Sequence, residues 1–162
     1  MQIRRYPATS PEVQAIIERL DQSLLERYDP SEIHGIDGAE FEAAGGTFVI
    51  GELEDRHVAC GAFRPLSAGI AEVKRIFVDP AYRGRGLARA ILAHLEDEMV
   101  RRGFETAVLE TGVRQAEAIR LYRKAGYIPI PAFGEYASCA CSLCFAKGLR
   151  LAAVALTSGP VQ

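Results

Sequence analysis

No apolar run in this sequence approaches the ~20 residues needed to cross a bilayer. The opening stretch, MQIRRYPATSPEVQ, lacks the apolar core of an export signal. Together these absences lead us to expect a cytoplasmic protein with no membrane partner. Neither sign of charge is in marked excess. Nineteen Lys and Arg against 21 Asp and Glu leave a formal net charge of −2, which gives a nucleic-acid partner no electrostatic footing. Histidine is scarce. His34, His57 and His94 are scattered and form no H-x-x-x-H pair, so a zinc site is not expected. Cysteine is limited to Cys60, Cys139, Cys141 and Cys144, and the C-x-C-x-x-C run has no partner pair elsewhere. Disulfides are disfavoured in the cytoplasm. These thiols therefore read as small buried hydrophobes, those of the run alternating along a strand, rather than as a metal cluster. Internal repeats, low-complexity tracts and linkers are also missing.

What is present is an ordinary globular composition, 49% hydrophobic and 25% charged over 162 residues. We expect one domain over 1–150 and a tail over 151–162. The stretch QIRRYPA suits a short strand. A helix follows, with Ser10 as cap, Pro11 in its first turn and an apolar stripe of Val13, Ile16, Ile17, Leu20 and Leu24. TFVIGELED and RHVACGAFRPL predict a hairpin turning near Glu54-Asp55. GIAEVKRIFVD adds a third strand, whose alternation puts Glu72, Lys74, Ile76 and Val78 on one face. A helix from about Gly84 carries Ala88, Ile91, Leu92, Leu95 and Met99 on one stripe. Then come the strand ETAVLETG, the helix VRQAEAIRLYRKAG, the short strand YIPI, the loop PAFGEYASCA and a last strand, CSLCFAKGL. This order predicts a mixed sheet with helices on its faces, an α+β or α/β layered domain.

The stretch AYRGRGLARA, residues 81–90, stands where a strand gives way to a helix. Bare backbone and positive charge at a helix start suit an anion. A Walker A loop is absent, and a dinucleotide fingerprint fails because Arg89 stands where its third small residue should be. What matches is an Arg/Gln-x-x-Gly-x-Gly/Ala pattern, formed by Arg83, Gly86 and Ala88. Taken alone, a charged loop that caps a helix explains the segment equally well.

AEVKRIFVDPAYRGRGLARAILAHLEDEMVRRG and the later AVLETGVRQAEAIRLYRKAGY together resemble the GCN5-related N-acetyltransferase (GNAT) superfamily, small bacterial members in particular. The similarity extends from roughly Ile3 to Leu149. It implies the GNAT fold: a mixed, mostly antiparallel sheet that splays between the central strand and AVLETG, with helices on both faces. It also implies acetyl-CoA as cosubstrate, with no metal. The coenzyme site would comprise Ile76, Phe77 and Val78 on the strand and Arg83, Gly84, Arg85, Gly86, Leu87 and Ala88 at the helix start. Gln115, Ala118 and Tyr122 would complete it from the second signature. One departure is that Gln115 stands where the family often has Asn, three residues before Ala118.

The implied chemistry is attack of an amine on a thioester. At pH 7 only about one lysine-like amine in 2,500 is neutral, so a base is valuable. Glu72, at the spacing of the catalytic glutamate in histone-type members, and Glu110, at the end of VLE, are the candidates. A solvated strand residue paired with Lys74 is the plain alternative for Glu72. Tyr122 matches the tyrosine that protonates the departing sulfur, and a buried helix aromatic is its plain alternative. A backbone N–H near Val78 would hold the developing oxyanion. Tyr28, Phe133, Glu135 and Tyr136 are candidates for an acidic, aromatic acceptor lining. A small-molecule amine is the favoured acceptor. A protein or peptide amine, or a non-catalytic acyl-CoA-binding module on the same fold, is the alternative, and a homodimer is left open.

Overall fold

The computed structural model describes residues 1–149; the tail expected over 151–162 lies outside the described residues. Seven strands form one sheet: β1 (Gln2–Tyr6), β2 (Thr47–Leu53), β3 (Arg56–Ser67), β4 (Ile70–Val78), β5 (Thr106–Gly112), β6 (Ile128–Ile130) and β7 (Ser142–Gly148). Their spatial order is β1-β2-β3-β4-β5-β7-β6. Every neighbouring pair is antiparallel except β4–β5. That parallel pair is joined by a crossover helix, as parallel neighbours require. The β2–β3 hairpin turns on Glu54 and Asp55, both with positive φ (51° and 59°). Left-handed geometry at both central residues matches the twist of the two strands, so the turn falls where the sequence placed it.

Helix α1 (Pro11–Leu25) starts on Ser10, whose side chain accepts from the Val13 N–H, and buries Val13, Ile16 and Leu20. It shares one face of the sheet with α2 (Gly38–Ala43), packing on Phe48, Ile50, Cys60, Ala62 and Phe77. The other face is covered by α3 (Leu87–Arg101) and α4 (Ala116–Lys124). Ile91, Leu92, Leu95 and Met99 of α3 are fully buried there against Phe63, Val73, Leu109 and Phe145. At ~1.5–3 kcal/mol for each large apolar side chain, this stripe fixes α3 on the sheet more firmly than helix propensity would.

Two features depart from the sequence reading. First, Arg75 has φ +60°, and the β3–β4 register slips between Cys60↔Phe77 and Ala62↔Lys74. This bulge puts one extra residue into β4 and reverses its alternation. Glu72, Lys74, Ile76 and Val78 therefore do not share a face. Lys74 pairs with Ala62, and Phe77 beyond the bulge packs in the α1-side core, whereas Ile76 and Val78 pack on the α3-side core. Second, the cysteine run is not a plain strand. Cys139 and Cys141 precede β7 and form a disulfide, while Cys60 and Cys144 are free and buried. The expectation of reduced, strand-borne thiols holds only for Cys60 and Cys144. The two-residue spacing becomes closable because the chain turns here, after the 3-10 segment Gly134–Ser138, instead of running extended.

Candidate active site

The β4–β5 ladder pairs Ile70–Val73 with Thr106–Leu109 and then stops. Beyond it β3 is the only strand that pairs with β4, at Lys74, Phe77 and Val78, so one edge of this segment faces the gap. A cavity of about 410 Å³ opens there. α1 forms its flank and is held along β4 by two arginine–carboxylate contacts. Arg75 donates to Asp21 at 2.7 Å, and Arg19 donates to Asp79 at 2.7 Å.

At one end of the cavity Gly84 and Gly86 have φ +77° and +75°, the left-handed region that L side chains rarely adopt. No protein atom lies where either Cβ would be. The helix expected from Gly84 begins at Leu87, because both glycines take this left-handed geometry. Gly86 is its cap and supplies no side-chain bond. Ala90 is the first to bond back, to the Gly86 carbonyl at 3.1 Å, so the N–H groups from Leu87 to Arg89 are left for an outside acceptor. Arg83 donates to the Val78 carbonyl at 3.2 Å, tying the loop to the strand end. These features fit a pyrophosphate: unpaired N–H donors, a helix dipole, open space and guanidinium groups. Every predicted coenzyme residue borders the cavity except Arg85, which lies over the Tyr82 ring at 5.3 Å. Arg89, which sequence reading treated as a mismatch, borders it instead.

Beyond the point where the ladder stops, Lys74 on β4 and Glu110 on β5 are the next residues in register, one on each lip of the gap. Burial raises the Glu110 pKa above the usual carboxylate range. The Ser142 hydroxyl, His34 and Lys74 oppose the rise, although Ser142 Oγ falls short of hydrogen-bond geometry with any partner. Tyr122 borders the same cavity while packing edge-on against Tyr127. It is both a core aromatic and a cavity-lining residue. Burial, and then the charge of Glu110, push its hydroxyl pKa upward, which keeps it protonated.

Glu72 is placed differently. It is 1% exposed, accepts from Lys74 at 3.2 Å, Tyr136 at 2.7 Å and Arg64 at 3.4 Å, and does not border the cavity. Neither a solvated strand residue nor a free base describes it; it is the hub of a buried network. Of the acceptor candidates, Tyr28 and Tyr136 border the cavity, while Phe133 meets Tyr136 edge-on and Glu135 is 4.0 Å from Lys74. Tyr28 is fixed by the Arg114 N–H, which donates to its hydroxyl at 2.9 Å. His34 and Lys74 were not singled out from sequence. Both gain meaning only when the loop after α1 folds over the end of β4. Among the described residues, no group of three or more His, Cys, Asp or Glu comes together to hold a metal.

Residues 12–127 match the acetyltransferase (GNAT) family. The chain is 36% identical over 147 residues to an IAA acetyltransferase of Azospirillum brasilense, covering 90% of this chain and 95% of that protein. A shorter stretch of 57 residues is 46% identical to the ribosomal protein bS18-alanine N-acetyltransferase of Escherichia coli, covering 35% and 38% of the two chains. Among solved structures, an acyl-CoA N-acyltransferase of Klebsiella pneumoniae superposes with a TM-score of 0.78 at 31% identity, covering 92% and 97%. The chain thus belongs to the acetyltransferase (GNAT) family, acyltransferases that use acetyl-CoA.

Proposed function

We propose that this single catalytic domain moves the acetyl group of acetyl-CoA to the primary amine of a small molecule, through direct attack within a ternary complex. The observation that carries the reading is the pairing of Glu110 with Tyr122 at one cavity beside the parted strands. Acetyl-CoA supplies an activated thioester. Glu110, whose raised pKa makes it a better proton acceptor than an ordinary carboxylate, takes the proton from the incoming ammonium, directly or through one water. Tyr122 keeps its own proton at neutral pH and gives it to the departing sulfur. The unpaired β4 edge from Lys74 to Val78 holds the pantetheine arm as another strand would. The acceptor end is bordered by the bulky rings of Tyr28, His34 and Tyr136, which favours a compact amine over an extended peptide. The names of the relatives leave both kinds of acceptor in view, an IAA acetyltransferase on one side and a ribosomal-protein alanine acetyltransferase on the other. The cytoplasm is the proposed setting. A thiol-release assay with acetyl-CoA and a panel of small amines and peptides tests the proposal. Turnover on small amines supports it, turnover on peptides alone removes the small-molecule acceptor, and coenzyme binding without any turnover removes catalysis.

A further inference from the structure

Among the described residues, three buried side-chain polar atoms lack any partner: His34 Nε2, Arg75 Nε and Ser142 Oγ. Unpaired buried polar atoms are rare and call for an explanation. Here all three belong to the same place. His34 and Arg75 border the cavity, and Ser142 stands beside Glu110. A fourth unfilled position belongs to Lys74. Its ammonium has three N–H groups. One goes to Glu72 Oε1 at 3.2 Å and one to the Tyr136 hydroxyl at 2.7 Å. The nearest further acid, Glu135, is 4.0 Å away on a side chain that is 56% exposed. Lys74 itself is 4% exposed and borders the cavity. His34 is tied to this group through its ring, which meets Tyr136 edge-on at 5.0 Å between centroids.

The acceptor end therefore has two unlike walls. Glu110 stands on the β5 lip. The other wall carries unfilled N–H capacity on Lys74, and both Lys74 and His34 lie against the Tyr136 ring, at 5.5 Å and 5.0 Å from its centroid. Arg64 also leans on Glu72 at 3.4 Å, so two cations share that one buried carboxylate. A molecule bearing only amines would answer Glu110 and leave Lys74 facing a like charge. Resting on the acetyltransferase reading above, we infer that the acceptor is an amino acid: a small zwitterion whose amine faces Glu110 and whose carboxylate is bound by Lys74 and His34. Its carboxylate completes the third Lys74 bond and meets the Nε2–H tautomer of His34. Its ammonium loses one proton to Glu110, the nitrogen bonds to the acetyl carbon, the carbon–sulfur bond breaks and the thiolate takes the Tyr122 proton, and the second nitrogen proton, released as the amide forms, returns to Tyr122 through solvent. The products are an N-acetylamino acid and free coenzyme. This pattern argues against polyamines, whose second cation would meet Lys74, and against peptide N-termini, which carry an uncharged amide at the carboxylate position.

The test uses the full chain, acetyl-CoA and the proteinogenic amino acids. Each amino acid is paired with its carboxamide and with the amine obtained by removing the carboxylate. A hydrogen bond to a charged group is worth roughly a 10- to 100-fold change in binding. We expect kcat/KM for the best amino acid to exceed that of its carboxamide and of its decarboxylated amine by at least that factor. Equal or better turnover of the decarboxylated amines overturns the inference while leaving the small-amine acetyltransferase intact. Failure of every small amine, with turnover on peptides or on nothing, overturns both. Two variants locate the carboxylate. Lys74→Met should raise the amino-acid KM with little change in the acetyl-CoA KM. Because it strips a partner from buried Glu72, His34→Leu is the companion, since His34 Nε2 has no partner to lose. An unchanged amino-acid KM in folded His34→Leu and Lys74→Met enzymes would refute the assignment.

Discussion

Replacing Glu110 by Gln keeps the shape of the side chain and removes the base, and its consequence depends on pH in a calculable way. A lysine-like amine with a reference pKa near 10.4 is neutral in about one molecule in 2,500 at pH 7, a cost of about 4–5 kcal/mol. Without a base, turnover must draw on that neutral fraction, so kcat/KM of the variant should rise about tenfold per pH unit up to the amine pKa. With Glu110 in place the dependence should be flatter. At pH 7 we expect the variant to lose roughly 10²- to 10⁴-fold in kcat, the usual scale for one acid–base group. By pH 9.4 much of the deficit should be recovered. Stability moves the other way. Burial raises the Glu110 pKa, so the native state holds that proton more tightly than the unfolded chain. Ionised Glu110 thus destabilises the fold as pH climbs from 4.5, its unperturbed value, through the raised native value. Glu110→Gln should melt higher than wild type at pH 8 and equally near pH 4. Steady-state thiol release across pH, with thermal melting on the same samples, measures both. A variant whose pH profile parallels wild type within twofold of its kcat would show that Glu110 is not the base.

Tyr122→Phe should lower kcat by about 10²-fold, the low end of the acid–base range because a thiolate is a good leaving group, with Tm nearly unchanged since the ring contacts to Tyr127 and Phe145 survive; full kcat would reduce Tyr122 to packing. Gly86→Val should weaken acetyl-CoA binding in calorimetric titration, because φ +75° there costs a side chain about 1–2 kcal/mol; an unchanged Kd would refute the phosphate-turn reading. Thiol titration in denaturant should find two reactive groups, Cys60 and Cys144, and four after reduction, given the Cys139–Cys141 disulfide; four thiols without reductant would contradict that bond.

The features legible in the sequence are those encoded by local chemistry. Ser10 and Pro11 announced α1, the stripe from Ile91 to Met99 announced α3, and the Arg83–Ala88 pattern marked the open turn that borders the cavity. The expected mixed sheet with covered faces is present, including its parting beyond Val73. What escaped was whatever depends on one residue out of step or on distant segments meeting. The bulge at Arg75 is invisible to a period-two pattern, and missing it misassigned the faces of Ile76 and Val78. Glu72 drew attention by spacing, yet its engagement by Lys74, Arg64 and Tyr136 is set by residues up to 64 positions apart. The disulfide needed a turn that the strand reading left out. His34 carries no local signal at all; only its place over Tyr136 marks it.

The short parallel ladder has a mechanical consequence. Four strands, β1 to β4, form one raft, and β5, β7 and β6 form another, and among the described residues they are joined along the sheet by the short ladder of Ile70–Val73 against Thr106–Leu109 and by the Gly69 carbonyl, which accepts from the Glu105 and Thr106 N–H groups. Glu110 rides on the second raft, whereas the Lys74–Val78 edge rides on the first. On the proposed mechanism, the distance between Glu110 and the thioester is thus an opening angle, set at a corner where Ala71 and Ala107 are fully buried side by side. Enlarging either alanine would wedge that corner and change the separation at the mouth while leaving each raft's own ladders intact. Substitutions with no atom in the cavity are therefore expected to tune turnover by leverage.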